Sequence, residues 1–165
     1  MEISDPRVTI ISLFDKTGTM VKPWVEAGFD AWILDIQHPD GISCGEDGIT
    51  RVGIDLEAGW KIPDQLRGTI DFISAFPPCD HLSVSGARWF KGKGLRALEI
   101  SIAFFATSVE VCEESCAPYL IENPVSTIST YWREPDHVFS PHQYTGHEEN
   151  GNPLRSLRRT PGSRV

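Results

Sequence analysis

Cys79 stands behind two prolines in the stretch FPPCDHLSVSG, residues 76–86. A cysteine acts as a nucleophile through its thiolate, which needs access and a positive or dipolar neighbour. His81 and Arg88 are the nearby side chains that would supply one. The commonest fate of a free cysteine is different: it packs as a small buried hydrophobe. The prolines and the polar pair Asp80-His81 argue against that fate here. Glu122 is the second candidate, an acid directly ahead of Asn123-Pro124. An acid so placed either moves protons or caps a loop. Cys112 and Cys116 are four apart in a helical pattern and read as core, while Cys44 lies in a polar stretch with no partner.

Two further features are of the kind that holds a cofactor. Phe14-Asp15-Lys16-Thr17-Gly18-Thr19 follows an apolar run and precedes a short helix. Gly18 lets the backbone approach a ligand at that turn. Asp35 ends the next apolar run, and an acid about 20 residues past a glycine turn commonly accepts hydrogen bonds from a ribose. The plainer reading of each is an ordinary turn and a solvated loop acid. Together they would lie at adjacent strand ends.

These residues need elements to position them. Val8–Phe14 is rich in β-branched residues and reads as a strand. A helix from Val21 to Ala27 follows, closed by Gly28. Ala31–Asp35 reads as the second strand, Gln37–Thr50 as a Gly/Asp-rich loop, Arg51–Asp55 as a weak third strand and Asp71–Phe76 as the fourth. The prolines at 77 and 78 then end strand pairing. Leu95, Leu98, Ile102, Phe105, Val109, Cys112 and Cys116 recur at steps of three and four, which predicts one buried helical face ending near Ser115. Ala117–Ile121 reads as the fifth strand. Strands alternating with crossovers argue an α/β fold with a doubly wound, mostly parallel sheet. Cys79 and Glu122 would then leave neighbouring strands about 4.8 Å apart, on the same sheet edge.

The 165 residues carry a net charge of −8. All 23 acids and 11 of the 15 Lys and Arg lie in residues 1–150, which leaves that body at −12 and the last fifteen residues at +4. An acidic body opposes strong nonspecific nucleic-acid binding, which rests on phosphate neutralisation. The four cysteines include no zinc-like CxxC pair, so no metal site is expected. No apolar run reaches the roughly 18 residues of a membrane span, and the start lacks a basic and then apolar leader. Reduced thiols in a cytoplasm are expected. Two domains of unequal order are expected: a folded body over 1–146 and a disordered basic tail over 147–165.

SLFDKTG, ILDIQHP, FPPCDHLSVSG and IENP stand in that order over residues 8–125. In series they resemble the motifs of the cytosine-C5 DNA methyltransferase family. The stretch from Gly86 through ENPVSTISTYW and SPHQYTG is also similar to methylase-like proteins of bacteriophages. The resemblance implies a Rossmann-like class I methyltransferase fold whose C-terminal strands are missing. It implies S-adenosyl-L-methionine (AdoMet) as cofactor, held by Phe14, Asp15, Thr17, Gly18, Asp35, Ile36, Asp55 and Pro77. Cys79 would be the nucleophile and Glu122 the acid, in methyl transfer to cytosine C5 of DNA. Lys16 and Thr19 depart from the family pattern, which has glycines there. No target-recognition region is visible, so DNA binding by this chain alone would be weak and a protein partner would supply recognition. Two other readings stay open: a non-catalytic AdoMet- or nucleotide-binding remnant, and methylation of a free pyrimidine nucleotide. The setting implied is the cytoplasm of a bacterium or a phage-infected host.

Overall fold

A computed structural model of the chain describes residues 8–57 and 60–140. The chain divides into two compact units, Met1–Thr127 and Ile128–Val165. The boundary expected at 146, and the tail beyond it, lie outside the described residues.

The first unit is built on a five-stranded parallel sheet: β1 (Thr9–Leu13), β2 (Asp30–Cys44), β3 (Ile49–Gly53), β4 (Ile70–Ala75) and β5 (Tyr119–Ile121). The strand order is β3-β2-β1-β4-β5. It reverses direction at β1, whose two neighbours are β2 and β4. This is a mixed α/β fold with a single parallel sheet, as the strand pattern predicts, and it is compatible with a Rossmann-like fold.

Successive residues of a strand point to opposite faces, so β1 feeds two cores. Ile11 and Leu13 join Leu34, Ile73, Ala75, Val111 and Cys112 on one face. Ile10 joins Val21, Ala31, Ile33 and Ile49 on the other, with Trp24 and Val25 packed against them. The helix α1 (Lys22–Glu26) therefore covers one face and α2 (Phe90–Ser115) the other. Pro23 suits the first turn of α1, where its missing N–H costs nothing. At the far end the Phe29 N–H donates to the Trp24 carbonyl at 3.0 Å, around Gly28 at φ +92°. That is the helix stop the glycine predicts.

Three expectations need correction. The stretch 37–50 is largely not a loop. Residues 40–44 pair with β3 in descending register, Ile42 opposite Val52 and Cys44 opposite Thr50. A turn at 45–48 joins the two runs, with the Gly45 N–H donating to Ile49 at 3.0 Å. This is a hairpin along the outer edge of β3, and Asp47-Gly48 is a common hairpin turn. Gly53 is required where the chain wraps past, because a Cβ there would collide with the Pro39 carbonyl.

Second, α2 buries only part of the face expected. Leu95 is 84% exposed, and Ile102 and Cys116 are exposed too. Phe105 and Cys112 are buried as expected, but the rest of the buried face is Ser101, Thr107, Ser108 and Val111. Half of the whole buried set is small hydroxyl residues, which are invisible to an apolar count. The Ser108 hydroxyl satisfies itself on the Phe104 carbonyl at 2.9 Å. Third, Cys116 is not core: it ends α2 in the left-handed conformation, at φ +58°. The α2 backbone is broken at Gly94 (φ 79°, ψ 176°), so regular helix begins at Leu95, where the periodic pattern begins.

The second unit contains a short helix, α3 (Ile128–Tyr131), and Arg133 stacked over the Trp132 ring at 4.5 Å. Among the described residues no helix is long and apolar enough to cross a membrane.

Candidate functional site

In a parallel sheet the chain leaves every strand on the same edge, and ligands bind where the strand order reverses. Here that point lies between the carboxyl ends of β1 and β4. A cleft of about 460 Å³ sits there, lined by Phe14, Asp15, Lys16, Thr17, Thr19, Met20 and Phe76.

The β1 turn is tightly constructed. Asp15 is only 7% exposed, and its Oδ1 accepts from the Gly18 N–H at 2.8 Å, the Thr17 N–H at 3.0 Å and the Thr17 hydroxyl at 3.3 Å. The Asp15 N–H donates to the Leu34 carbonyl at 3.2 Å. Its carbonyl meets Nε2 of the buried His38 at 3.0 Å. A carbonyl only accepts, so His38 carries its proton on Nε2. Asp15 Oδ2 is buried with no partner. Phe14 has φ +57° and packs edge-on against Phe104, 5.5 Å between centroids. A positive φ on an aromatic residue costs about 1–2 kcal/mol and is found where surrounding structure enforces it. Gly18, at φ +72°, sits under Ile49, whose Cδ1 would be 2.9 Å from an added Cβ.

The remaining cofactor candidates flank this turn. Asp35 is buried at the end of the parallel part of β2, and its Oδ1 accepts from the Gln37 N–H at 2.8 Å. Ile36 beside it is 66% exposed, an apolar surface at a strand's carboxyl end. Asp55 is exposed just past β3 and caps its own loop through the Glu57 N–H at 2.9 Å. Pro77 is buried. Of the expected cofactor residues, Phe14, Asp15 and Thr17 line the cleft; Gly18, Asp35, Ile36, Asp55 and Pro77 are not among its lining residues.

Beside the cleft, β4 and β5 deliver the two chemical candidates. The Glu122 N–H donates to the Ala75 carbonyl at 3.0 Å, so Glu122 leaves the sheet level with the end of β4. Cys79 follows four residues after Ala75, half-buried. Its carbonyl receives the Leu82 and Ser83 N–H groups at 2.9 and 3.0 Å, which curls the loop back. The Val84 N–H then donates to Val125 at 3.1 Å, tying the Cys79 loop to the segment after Glu122. Burial raises the Cys79 thiol above its ordinary value, and the nearby carboxylates of Glu122 and Asp80 raise it further. The cationic neighbour expected from His81 or Arg88 is not what the thiol meets. Arg88 lies over the Trp89 ring at 4.9 Å, and His81 Nδ1 is buried without a partner. Asn123 Oδ1 is likewise buried without a partner, although its Nδ2 donates to Ser126 at 2.7 Å. Burial lifts the Cys112 thiol to about 12, in keeping with an inert core residue.

No protein-family model matches this chain, and no curated protein matches it.

Sequence reasoning missed three contributors: His38, Met20 and Phe76. His38 was legible in part, three residues past Asp35 within ILDIQHP. Its partner across the sheet was not.

Proposed function

We propose that the chain is an AdoMet-dependent methyltransferase of the class I Rossmann-like type, acting at C5 of cytosine in DNA. One observation carries the reading. Cys79 and Glu122 leave adjacent parallel strands on the same edge, close enough for the carboxylate to act on the thiol, beside a cleft at the point of strand reversal.

The residues divide the work. Cytosine C5 is too weak a nucleophile to take a methyl group unaided. The Cys79 thiolate adds at C6, forming a C–S bond and placing carbanion character on C5. Glu122 holds a proton toward N3 and neutralises the charge that develops there. AdoMet, when bound, supplies an electrophilic methyl group. Phe14, Asp15 and Thr17 hold it from the β1 turn, with Asp35 and Ile36 meeting its nucleoside end. Loss of the C5 proton to a base then breaks the C–S bond and releases Cys79. In a duplex the target base is first extruded from the stack. A protein partner supplies sequence recognition, and the setting is the cytoplasm of a bacterium or phage-infected host.

The test uses 5-fluorocytosine, whose fluorine cannot leave as a proton does. With AdoMet, the full chain should trap a covalent adduct on Cys79, read by mass spectrometry. Duplex, single-stranded and mononucleotide forms of the substrate identify which one is used. An equal adduct in Cys79→Ser, or no adduct on any form while AdoMet is bound, sinks the reading.

A further inference from the structure

The body of the chain is acidic, but its cations are unevenly spread. Of the 11 Lys and Arg in residues 1–150, four stand at 88, 91, 93 and 96, and no acid lies between Asp80 and Glu99. Arg96 is paired with Glu99. Arg88, Lys91 and Lys93 are exposed and make no ion pair among the described residues. By contrast Arg51, Arg67 and Arg133 are matched with Asp47, Glu114 and Asp136. The same segment carries an uncovered aromatic ring. Trp89 is 60% exposed, and Val84 and Leu95 on either side of it in sequence are exposed too. The Arg88 guanidinium lies over one face of the indole, 4.9 Å from its centroid. The other face is left for a second planar group.

An indole in water among unpaired cations offers a π-face and positive charge together. Nucleic acid presents both complements in every repeat, a flat base and a phosphate. In a duplex the bases cover one another, so an indole on a protein surface stacks only on an unpaired base. The segment is also tied to the loop that carries Cys79. Lys93 Nζ donates to the Asp80 carbonyl at 2.8 Å, and a Cβ on Gly86 would lie 3.7 Å from that same oxygen.

We infer that residues 84–96 form a docking surface for single-stranded nucleic acid. Trp89 stacks on an unpaired base, and Arg88, Lys91 and Lys93 meet phosphates. The acidic remainder of the body repels phosphate, which confines a strand to this segment. The surface stands on its own observations; that the bound strand is the substrate of Cys79 rests on the methyltransferase reading.

Fluorescence anisotropy on the full chain tests this with a labelled oligothymidine, a duplex of the same length and an abasic single strand. Anionic phosphatidylserine vesicles serve as a fourth probe. Oligothymidine should bind about tenfold or more tighter than the duplex. Trp89→Ala should weaken oligothymidine by about five- to hundredfold, the loss of one base stack, and leave the abasic strand unchanged. Trp89→Phe should keep most of the affinity. Lys91→Ala should weaken both single strands alike and flatten the slope of log affinity against log salt by about 0.7, one phosphate contact. Both side chains are exposed, so these variants stay folded. The arginines after residue 150 add charge toward every nucleic-acid probe and leave the comparison among them intact. Tighter binding of the duplex, no binding of any strand, or an oligothymidine affinity unmoved in Trp89→Ala would overturn the surface. Vesicle binding without strand binding, lost in Trp89→Ala, would make it a membrane contact and overturn it too. The two readings fail separately. A Cys79 adduct on 5-fluorocytosine with no role for Trp89 sinks the surface alone, and single-strand binding with no adduct on any form sinks the methyltransferase alone.

Discussion

The two halves of the sheet's carboxyl edge are built in opposite ways. On the β1–β2 side the turn is saturated with internal hydrogen bonds, and the strained Phe14 backbone is held by packing. On the β4–β5 side, buried polar atoms of His81 and Asn123 lack partners, and a half-buried thiol faces carboxylates. The first half is complete before anything binds, apart from one oxygen. The second leaves buried polar atoms of two side chains without partners. A cofactor site gains from being rigid, and a site that makes and breaks a covalent bond needs groups left unsatisfied in the resting state. The difference suits those two tasks.

Substitutions should separate the halves. The largest effect is expected at Cys79. Cys79→Ser should remove covalent trapping and methyl transfer altogether while AdoMet affinity and melting temperature hold. Residual trapping would place the nucleophile elsewhere. Glu122→Gln comes next, with methyl transfer falling by about 10²–10⁴-fold, the usual range for losing a positioned acid. The β1 side should respond in stability instead. His38→Ala removes the donor to a buried carbonyl and should cost about 1–3 kcal/mol in denaturant unfolding. Alkylation of Cys79 by iodoacetamide should be unaffected in that variant. A His38→Ala chain of unchanged stability would show that the turn is less closely held than its contacts imply.

The smallest effect sharpens the comparison on the β4 side. Cys79 is raised by burial and by carboxylates, so its alkylation rate should climb with pH through a midpoint above the ordinary thiol value of 9.0. Glu122→Gln removes a negative charge that disfavours the thiolate, so the midpoint should move down. At a fixed pH near 8 the variant should alkylate faster than wild type, although it methylates more slowly. A midpoint unmoved or raised in the variant would separate Glu122 from the thiol.

The strands were legible because each is an apolar, β-branched run ended by an acid, a glycine or a proline. That was enough to place Phe14, Asp35, Cys79 and Glu122 at strand ends on one edge. The buried face of α2 was legible only at Phe105 and Cys112, since Ser101, Thr107 and Ser108 are buried without being hydrophobic. The hairpin after Asp35 was hidden by its glycines and acids, although Asp47-Gly48 pointed to it. The cleft itself depends on contacts between distant segments. Phe76 meets the β1 turn only because β4 lies beside β1, and His38 reaches Asp15 only because β2 does. The carboxylates around Cys79 were legible, Asp80 as its neighbour in sequence and Glu122 from the adjacent strand end; what failed was the expectation that a cation would face the thiol.

The hairpin also bears on the order in which the chain assembles. Parallel strands must wait for long connections to close, and such closures are slow. Residues 40–44 and β3 are joined by a four-residue turn at 45–48, and contacts that local form in about 1–10 μs. β3 thus gains a partner before the sheet exists, and the chain wrapped past Gly53 already sets where 31–35 must lie. Pulse-labelled hydrogen exchange should find the Val52 amide protected ahead of those of Ile11 and Ile73. The sheet would then grow from its outer edge inward, so the crevice at its centre would be among the last features to form.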